Sequence, residues 1–171
     1  MSMKNIPLLD ANNNIFGETT IAEAMQNNDW RRVVRVFLLD EQGRVLLQKR
    51  GAHMNAYPGC WDQSAGGHVD VGETDLQAAE RELFEEVGVR VSLIEVMTGL
   101  RSTIPEDKAI SSVYVATIAA DTAFVIDHEE VSEVCWVSVE ELEAMFAKTP
   151  KQFPPLFIEI WHHSRDKILA I

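Results

Sequence analysis

Cysteine is scarce in this chain: Cys60 and Cys135 stand far apart, and there is no CxxC pair. That excludes a disulfide-stapled fold and a thiolate zinc site, and leaves a reduced, cytoplasmic protein with packed thiols as the reading. Basic residues are scarce as well. Fifteen Lys and Arg face 27 Asp and Glu, for a formal net charge of −12. A nucleic-acid binder or a membrane-surface protein needs basic surface, so neither partner is expected. The same acidity opposes a polyphosphate substrate, unless a divalent cation stands between them. No apolar run approaches the ~20 residues of a membrane span. The start, "MSMKNIPLLDANNN", has neither the basic region nor the apolar stretch of a signal peptide. Repeats, low-complexity tracts and linkers are missing too, so residues 1–171 read as a single domain.

What is present is a series of strands with a few helices between them. Apolar Ile6 to Leu9, an Asn-rich turn, then Ile15 and Phe16 suggest a hairpin, and Thr20 with Glu23 opens a short helix, completing an N-terminal element over 1–28. "RRVVRVFLLD" and "RVLLQKR" read as strands joined at Glu41-Gln42-Gly43, followed by a loop from Gly51 to Asp62. "SLIEVMTGL", "SSVYVATIAA" and the short "VCWV" are further strands. Ser138 with Glu141 caps the helix "SVEELEAMFAK", and a C-terminal helix fills 153–171. The expected class is α/β (α+β), a mixed sheet sandwiched between helices in three layers, α/β/α.

The stretch "GHVDVGETDLQAAERELFEEVGV", residues 67–89, is the most informative. Thr74 and Gln77 form a capping box that starts a helix at Asp75, and Gly88 suits the left-handed residue that stops it. At about 100° per residue, with Arg81 at zero, Glu85, Glu82 and Glu86 fall at about 40°, 100° and 140°. Leu76, Leu83 and Val87 gather on another face, which can pack on a sheet, while Ala78 and Ala79 leave room beside the acids. Like charges this close repel by a few tenths of a kcal/mol per pair. Solvation is the bland explanation for such a face. A hard divalent cation is the sharper one, because Mg²⁺ bound to phosphates takes a few carboxylates from protein. A Gly-rich turn before the helix, "AGGHVDVGE", allows close backbone approach.

The spacing Gly67, Glu73, Arg81-Glu82, Glu85-Glu86, Gly88 matches G-x5-E-x7-R-E-U-x-E-E-x-G-U throughout. At roughly 6% usage per residue, seven fixed positions would match by chance less than about once in a million chains of this length. The segment resembles the Nudix box, and 67–89 is identified as a member of that pattern. The resemblance implies the Nudix fold and Mg²⁺- or Mn²⁺-dependent cleavage of a pyrophosphate bond in a nucleoside diphosphate-linked or other small diphosphate metabolite. It implies Glu82, Glu85 and Glu86 as catalytic metal ligands, joined by Gly67, with Glu73, Arg81 and Gly88 holding the box together. "LLDANNNIFGETT", "VLLQKRG", "YPGCWDQSAGGHV" and "EVSEVCWVSVEEL" extend the likeness to YfcD-type Nudix proteins and, further off, to isopentenyl-diphosphate isomerases.

The isomerases place a catalytic Cys where this chain has Gly66, and a catalytic Glu near Asp107-Lys108-Ala109. Their two upstream metal-binding histidines are also missing, since the first histidine here is His53. These departures favour hydrolysis over isomerisation, and the three repelling acids argue against a regulator that binds nucleotide without catalysis. For the general base, Glu85, Glu86, Glu106, Asp107, Glu129 and Glu130 stay open. Arg50 and Arg35 are expected to bind substrate phosphates, with Lys49 and Arg101 as further cations. His68 is expected to make a loop hydrogen bond. Tyr57 and Trp61 suit either base stacking or packing, Cys60 packing, and His162-His163 neither metal nor catalysis. A homodimer is left open.

Overall fold

The computed structural model describes residues 4–171; residues 1–3 of the expected N-terminal element lie outside it. The chain runs β1 (Asn5–Leu9), β2 (Ile15–Thr20), α1 (Ile21–Asn27), β3 (Arg31–Leu39), β4 (Val45–Arg50), β5 (Trp61–Asp62), β6 (Ala65–His68) and α2 (Asp75–Val87). It continues with β7 (Ile94–Arg101), β8 (Ala109–Thr117), β9 (Val131–Val137), α3 (Val139–Lys148), a 3₁₀ turn (Pro150–Gln152) and α4 (Pro155–Ile168). The hairpin β1–β2 forms a small sheet of its own, and the other seven strands form one mixed sheet.

Strand β3 is the spine. It pairs in parallel with β8 along its whole length, from Arg31 opposite Ala109 to Leu39 opposite Thr117. On its other edge it pairs with β6 near its start and touches β4 only at Leu39 opposite Val45. The strands β3 and β4 therefore splay, and buried Ser64 bridges the gap. Its hydroxyl donates to the Leu46 carbonyl at 2.7 Å and accepts from the Leu38 amide at 2.7 Å. A buried backbone amide without such a partner is costly, so one serine fixes the fork.

Side-chain alternation sends β3 to two cores. Val33, Phe37 and Leu39 join Phe146, Phe157, Ile160 and Trp161 of α3 and α4 on one face. Val34, Val36 and Leu38 meet Ala78, Ala79, Leu83 and Val87 of α2 on the other. The expected α/β/α layering is the one found.

Several boundaries differ from the sequence expectation. The supposed loop ends in strand β5, and the Gly-rich "turn" contributes strand β6, because β3 and β4 supply hydrogen-bonding edges that local composition does not announce. Strand β9 begins at Val131 rather than Val134. The C-terminal helix starts at Pro155, since Pro150 and Pro154 break up the preceding turn. Leu76 is exposed, and Ala78 and Ala79 are fully buried instead of flanking open space. Small residues let α2 approach the sheet closely, and that leaves Leu76 off the contact face.

Candidate active site

The capping box and the left-handed stop set the register of α2. Thr74 accepts from the Gln77 amide, the Gln77 side chain accepts from the Thr74 amide, and Gly88 has φ of 74°. That register brings Glu82 and Glu86 over β6 and leaves Glu85 at the rim, its side chain 47% exposed. Glu86 is turned inward. Its Oε2 accepts from the Gln48 amide at 2.6 Å and from the Gly66 backbone amide at 3.1 Å. Gly67 is the point of closest approach: a Cβ at this position would collide with the Glu82 carboxylate. The requirement for glycine here is steric.

Arg81 is the hub of the loop–helix–loop. Its Nε and Nη2 donate to both oxygens of Glu73 at 2.7 and 2.9 Å, and Nη2 also donates to the His68 carbonyl at 3.0 Å. Its Nη1 donates to Glu82 at 2.6 Å and Glu85 at 3.2 Å. These bonds, those to Glu73 foremost, raise the affinity of Arg81 for its proton and hold Glu73 below the usual carboxylate range.

The acids behave otherwise. Burial pushes the Glu82 carboxyl up to about 7, with the Glu85 and Glu130 charges adding to it against the pull of Arg81. Glu86 is driven well above the ordinary range, first by burial and then by Glu82 and Glu130. Burial, Asp127 and Glu85 raise Glu130 as well. Glu130 is thus the loop acid that shares the field of the helix acids. Its carbonyl accepts from the Gly51 amide at 2.7 Å, which anchors the loop. Asp107 is diverted to Arg31 at 2.5 Å.

Among the described residues no three acids, histidines or cysteines already enclose a metal ion. Arg81 occupies Glu82 and Glu85. The donor chemistry nevertheless suits a hard cation: three carboxylates on one helix face, two of them raised in proton affinity by burial and neighbouring acids, which a divalent ion would relieve.

The sign of the pH effect follows. Glu82 has a folded pKa near 7 against an ordinary 4.5, so the folded state holds the proton more tightly. The stability this lends is complete below about 4.5 and is lost as pH rises through 7. In EDTA, the difference in melting temperature between wild type and Glu82→Gln should therefore turn against wild type over that window. A difference that stays constant from pH 4.5 to 7.5 would refute the assignment.

The remaining candidates separate cleanly. Arg50 pairs with buried Asp62 at 3.3 Å and donates to the Ala56 carbonyl at 3.0 Å, facing the loop that follows β4. Arg35 projects from β3 beside Gly66, and its Nε has no partner among the described residues. Lys49 pairs with Glu133 and lies 5.5 Å over the Trp61 ring, so Trp61 is covered on that face. Arg101 donates to the Ala11 carbonyl, away from the acids. Tyr57 is 39% exposed, with its hydroxyl raised by burial and by Asp107. Burial also raises the thiols of the half-buried Cys60 and Cys135. His162 meets the Phe146 ring edge-on, and His163 meets the Glu159 carbonyl. The expected hydrogen bond of His68 is not found: its Nε2 is buried without a partner, and burial together with Arg31 and Arg35 pulls its pKa down to about 4. Arg31, Gln48, Gln63 and Ser111 were not anticipated. Polar residues inside otherwise apolar strands were the available signal.

Known proteins resemble this chain along most of its length. An isopentenyl-diphosphate Delta-isomerase of Streptomyces griseus is 32% identical over 170 residues, covering 95% of this chain and 84% of that protein. A Nudix hydrolase of Listeria monocytogenes is 31% identical over 159 residues, covering 91% of this chain and 90% of that one. A crystal structure from Deinococcus radiodurans superposes with a TM-score of 0.75 at 24% identity, over 85% of this chain and 90% of that one. The NUDIX domain family model matches residues 29–157, and with the box folded as strand, loop and capped helix around Arg81, the chain belongs to the Nudix family.

Proposed function

We propose that this protein hydrolyses a pyrophosphate bond in a small diphosphate-containing metabolite with Mg²⁺ or Mn²⁺ bound by Glu82, Glu85, Glu86 and the backbone of Gly67. The observation that carries the reading is the buried Glu82–Glu86 pair, raised in proton affinity, lying directly over the bare Gly66–Gly67 backbone. Such a pair is costly to keep in a protein that only folds. When bound, the cation would polarise the phosphorus and lower the pKa of an attacking water. The chain's own groups do the rest. Gln48 and the Gly66 amide fix the Glu86 carboxylate in one orientation. Glu130, raised above its ordinary range by burial and by Asp127 and Glu85, is suited to take the proton from the attacking water. Arg50 and Arg35 supply positive charge for substrate phosphates, Arg50 from beside the loop after β4 and Arg35 from the face of β3 opposite the acids. Cation and Arg81 compete for Glu82 and Glu85, which couples metal binding to the salt-bridge hub.

The test is a panel of diphosphate compounds with Mg²⁺, run in ¹⁸O-labelled water. Label in a released phosphate product supports hydrolysis; no turnover of any member under metal saturation counts against it. Isopentenyl diphosphate belongs on the panel because some relatives carry the isomerase name. It should not be isomerised, since Gly66 has no proton to give. A Cβ there would lie 2.7 Å from the Val34 carbonyl oxygen and 3.0 Å from the Gln63 amide nitrogen. Gly66→Cys should accordingly strain β6 without creating isomerase activity. Deuterium incorporated into dimethylallyl diphosphate by the unmodified protein would overturn the reading.

A further inference from the structure

The face of β6 opposite the acids holds a second concentration of polar groups. Strand pairing sets Gly66 across from Arg35 and His68 across from Val33, while β8 sets Ser111 beside Val33 and Ala109 beside Arg31. Paired residues point to the same side of a sheet. Arg31, Arg35, His68 and Ser111 therefore share one face on neighbouring rungs. Gln63 closes in from the strand-to-strand link: its amide nitrogen and the Arg35 Cδ lie 3.0 and 3.6 Å from where a Gly66 Cβ would sit.

These five residues account for five of the seven buried polar side-chain atoms without a partner among the described residues: Arg31 Nε, Arg35 Nε, Gln63 Oε1, His68 Nε2 and Ser111 Oγ. Arg31 is 5% exposed, Gln63 2% and Ser111 0%, so bulk water is not available to them. Unmet buried donors are expensive, and a protein that concentrates them in one place holds them ready for something else to bind. The charges point the same way. Arg31 is matched by Asp107 and Arg50 by Asp62. Arg35 has no carboxylate within ion-pair distance among the described residues and shares the field of buried Asp62 with Arg50, so positive charge is in excess. The Gln63 amide can flip to present its nitrogen, and a serine hydroxyl and a neutral imidazole both donate.

We propose that Arg35, with Arg31, Gln63, His68 and Ser111, forms an oxyanion subsite, and that the substrate carries there a compact anionic group, a phosphate monoester or a carboxylate. This rests on the hydrolase reading for the word substrate. One strand separates the two halves of the site: the Gly66 amide donates to Glu86, while Arg35 and Gln63 lie over its α-carbon. A molecule crossing the side-chain-free Gly66–Gly67 edge would reach both.

The experiment needs neither metal nor turnover. Full-length protein in EDTA, at constant ionic strength, is titrated with inorganic phosphate and separately with succinate. Melting temperature and the His68 ring signals in a ¹H–¹³C spectrum are followed together. At least one anion should raise the melting temperature and move the His68 signals, and the tighter of the two names the group. Glu86→Gln should bind equally well. Arg35→Met should weaken binding at least about 10-fold, because it removes the charge that meets the anion. Ser111→Ala, a milder change, should weaken binding without affecting the fold. Equal binding by wild type and Arg35→Met, or binding of neither anion, would each overturn the subsite while leaving hydrolysis untouched. A working subsite in a protein that turns over no diphosphate would instead count against the hydrolase reading.

Discussion

Glu86→Gln should lower kcat on any diphosphate this protein hydrolyses by at least ~10²-fold, the scale expected when a catalytic metal ligand is lost. The same change should leave the melting temperature unchanged or raise it. The substitution keeps volume and helix propensity, and the new amide oxygen can accept from Gln48 and the Gly66 amide as the carboxylate does. What disappears is a charge that the 5%-exposed site resists. Loss of activity with no loss of stability separates a functional acid from a structural one. Glu85→Gln should show the kinetic loss too, although at the rim its stability depends on the Arg81 and Lys4 contacts. Steady-state rates and melting curves on the same preparations settle the matter. Turnover within about 3-fold of wild type in both variants would remove Glu85 and Glu86 from the chemistry.

The elements legible in the sequence were those whose signals are local. Three capping boxes, at Thr20/Glu23, Thr74/Gln77 and Ser138/Glu141, fall where the side chains specify them, and Gly88 stops α2 as its freedom at positive φ allows. Spacing within α2 also put Glu82, Glu85 and Glu86 on one arc. It could not say that Glu86 would be buried, because that depends on how far Ala78 and Ala79 let the helix sink toward the sheet. Strands β5 and β6 were illegible for a related reason. "WDQSAGGH" has no alternation of its own, and its strand character comes from edges of β3 and β4 that are contributed from elsewhere in the chain. The polar set on the far face was hidden inside runs that read as strand. Arg31 and Arg35 in "RRVVRVFLL", and Ser111 in "AISSVYVAT", are interruptions in stretches buried on both faces. A polar residue in such a stretch must find a partner or serve a ligand. That rule is available from sequence once the strand is recognised as internal.

Arg81→Ala should destabilise the protein by about 2–3 kcal/mol, and it should do so more in EDTA than in Mg²⁺. The guanidinium is 19% exposed and serves Glu73 bidentately, Glu82, Glu85 and the His68 carbonyl, so its removal strands several acids in a partly buried region at once. Full burial would warrant a larger figure, and solvent access to Glu85 reduces it. Arg81→Lys should recover only part of the loss, because a point charge cannot grip both oxygens of Glu73 while reaching the carbonyl. Mg²⁺ enters through competition. In wild type it must displace Arg81 from Glu82 and Glu85, whereas in the alanine variant those carboxylates are free to take it. The stabilisation by saturating Mg²⁺ should therefore be greater in Arg81→Ala than in wild type, even though catalysis suffers from a loosened loop. Denaturant titrations with and without Mg²⁺ measure both terms. Equal Mg²⁺ stabilisation of the two proteins would mean that the cation binds away from the acids Arg81 holds, and the proposed metal site would fall with it.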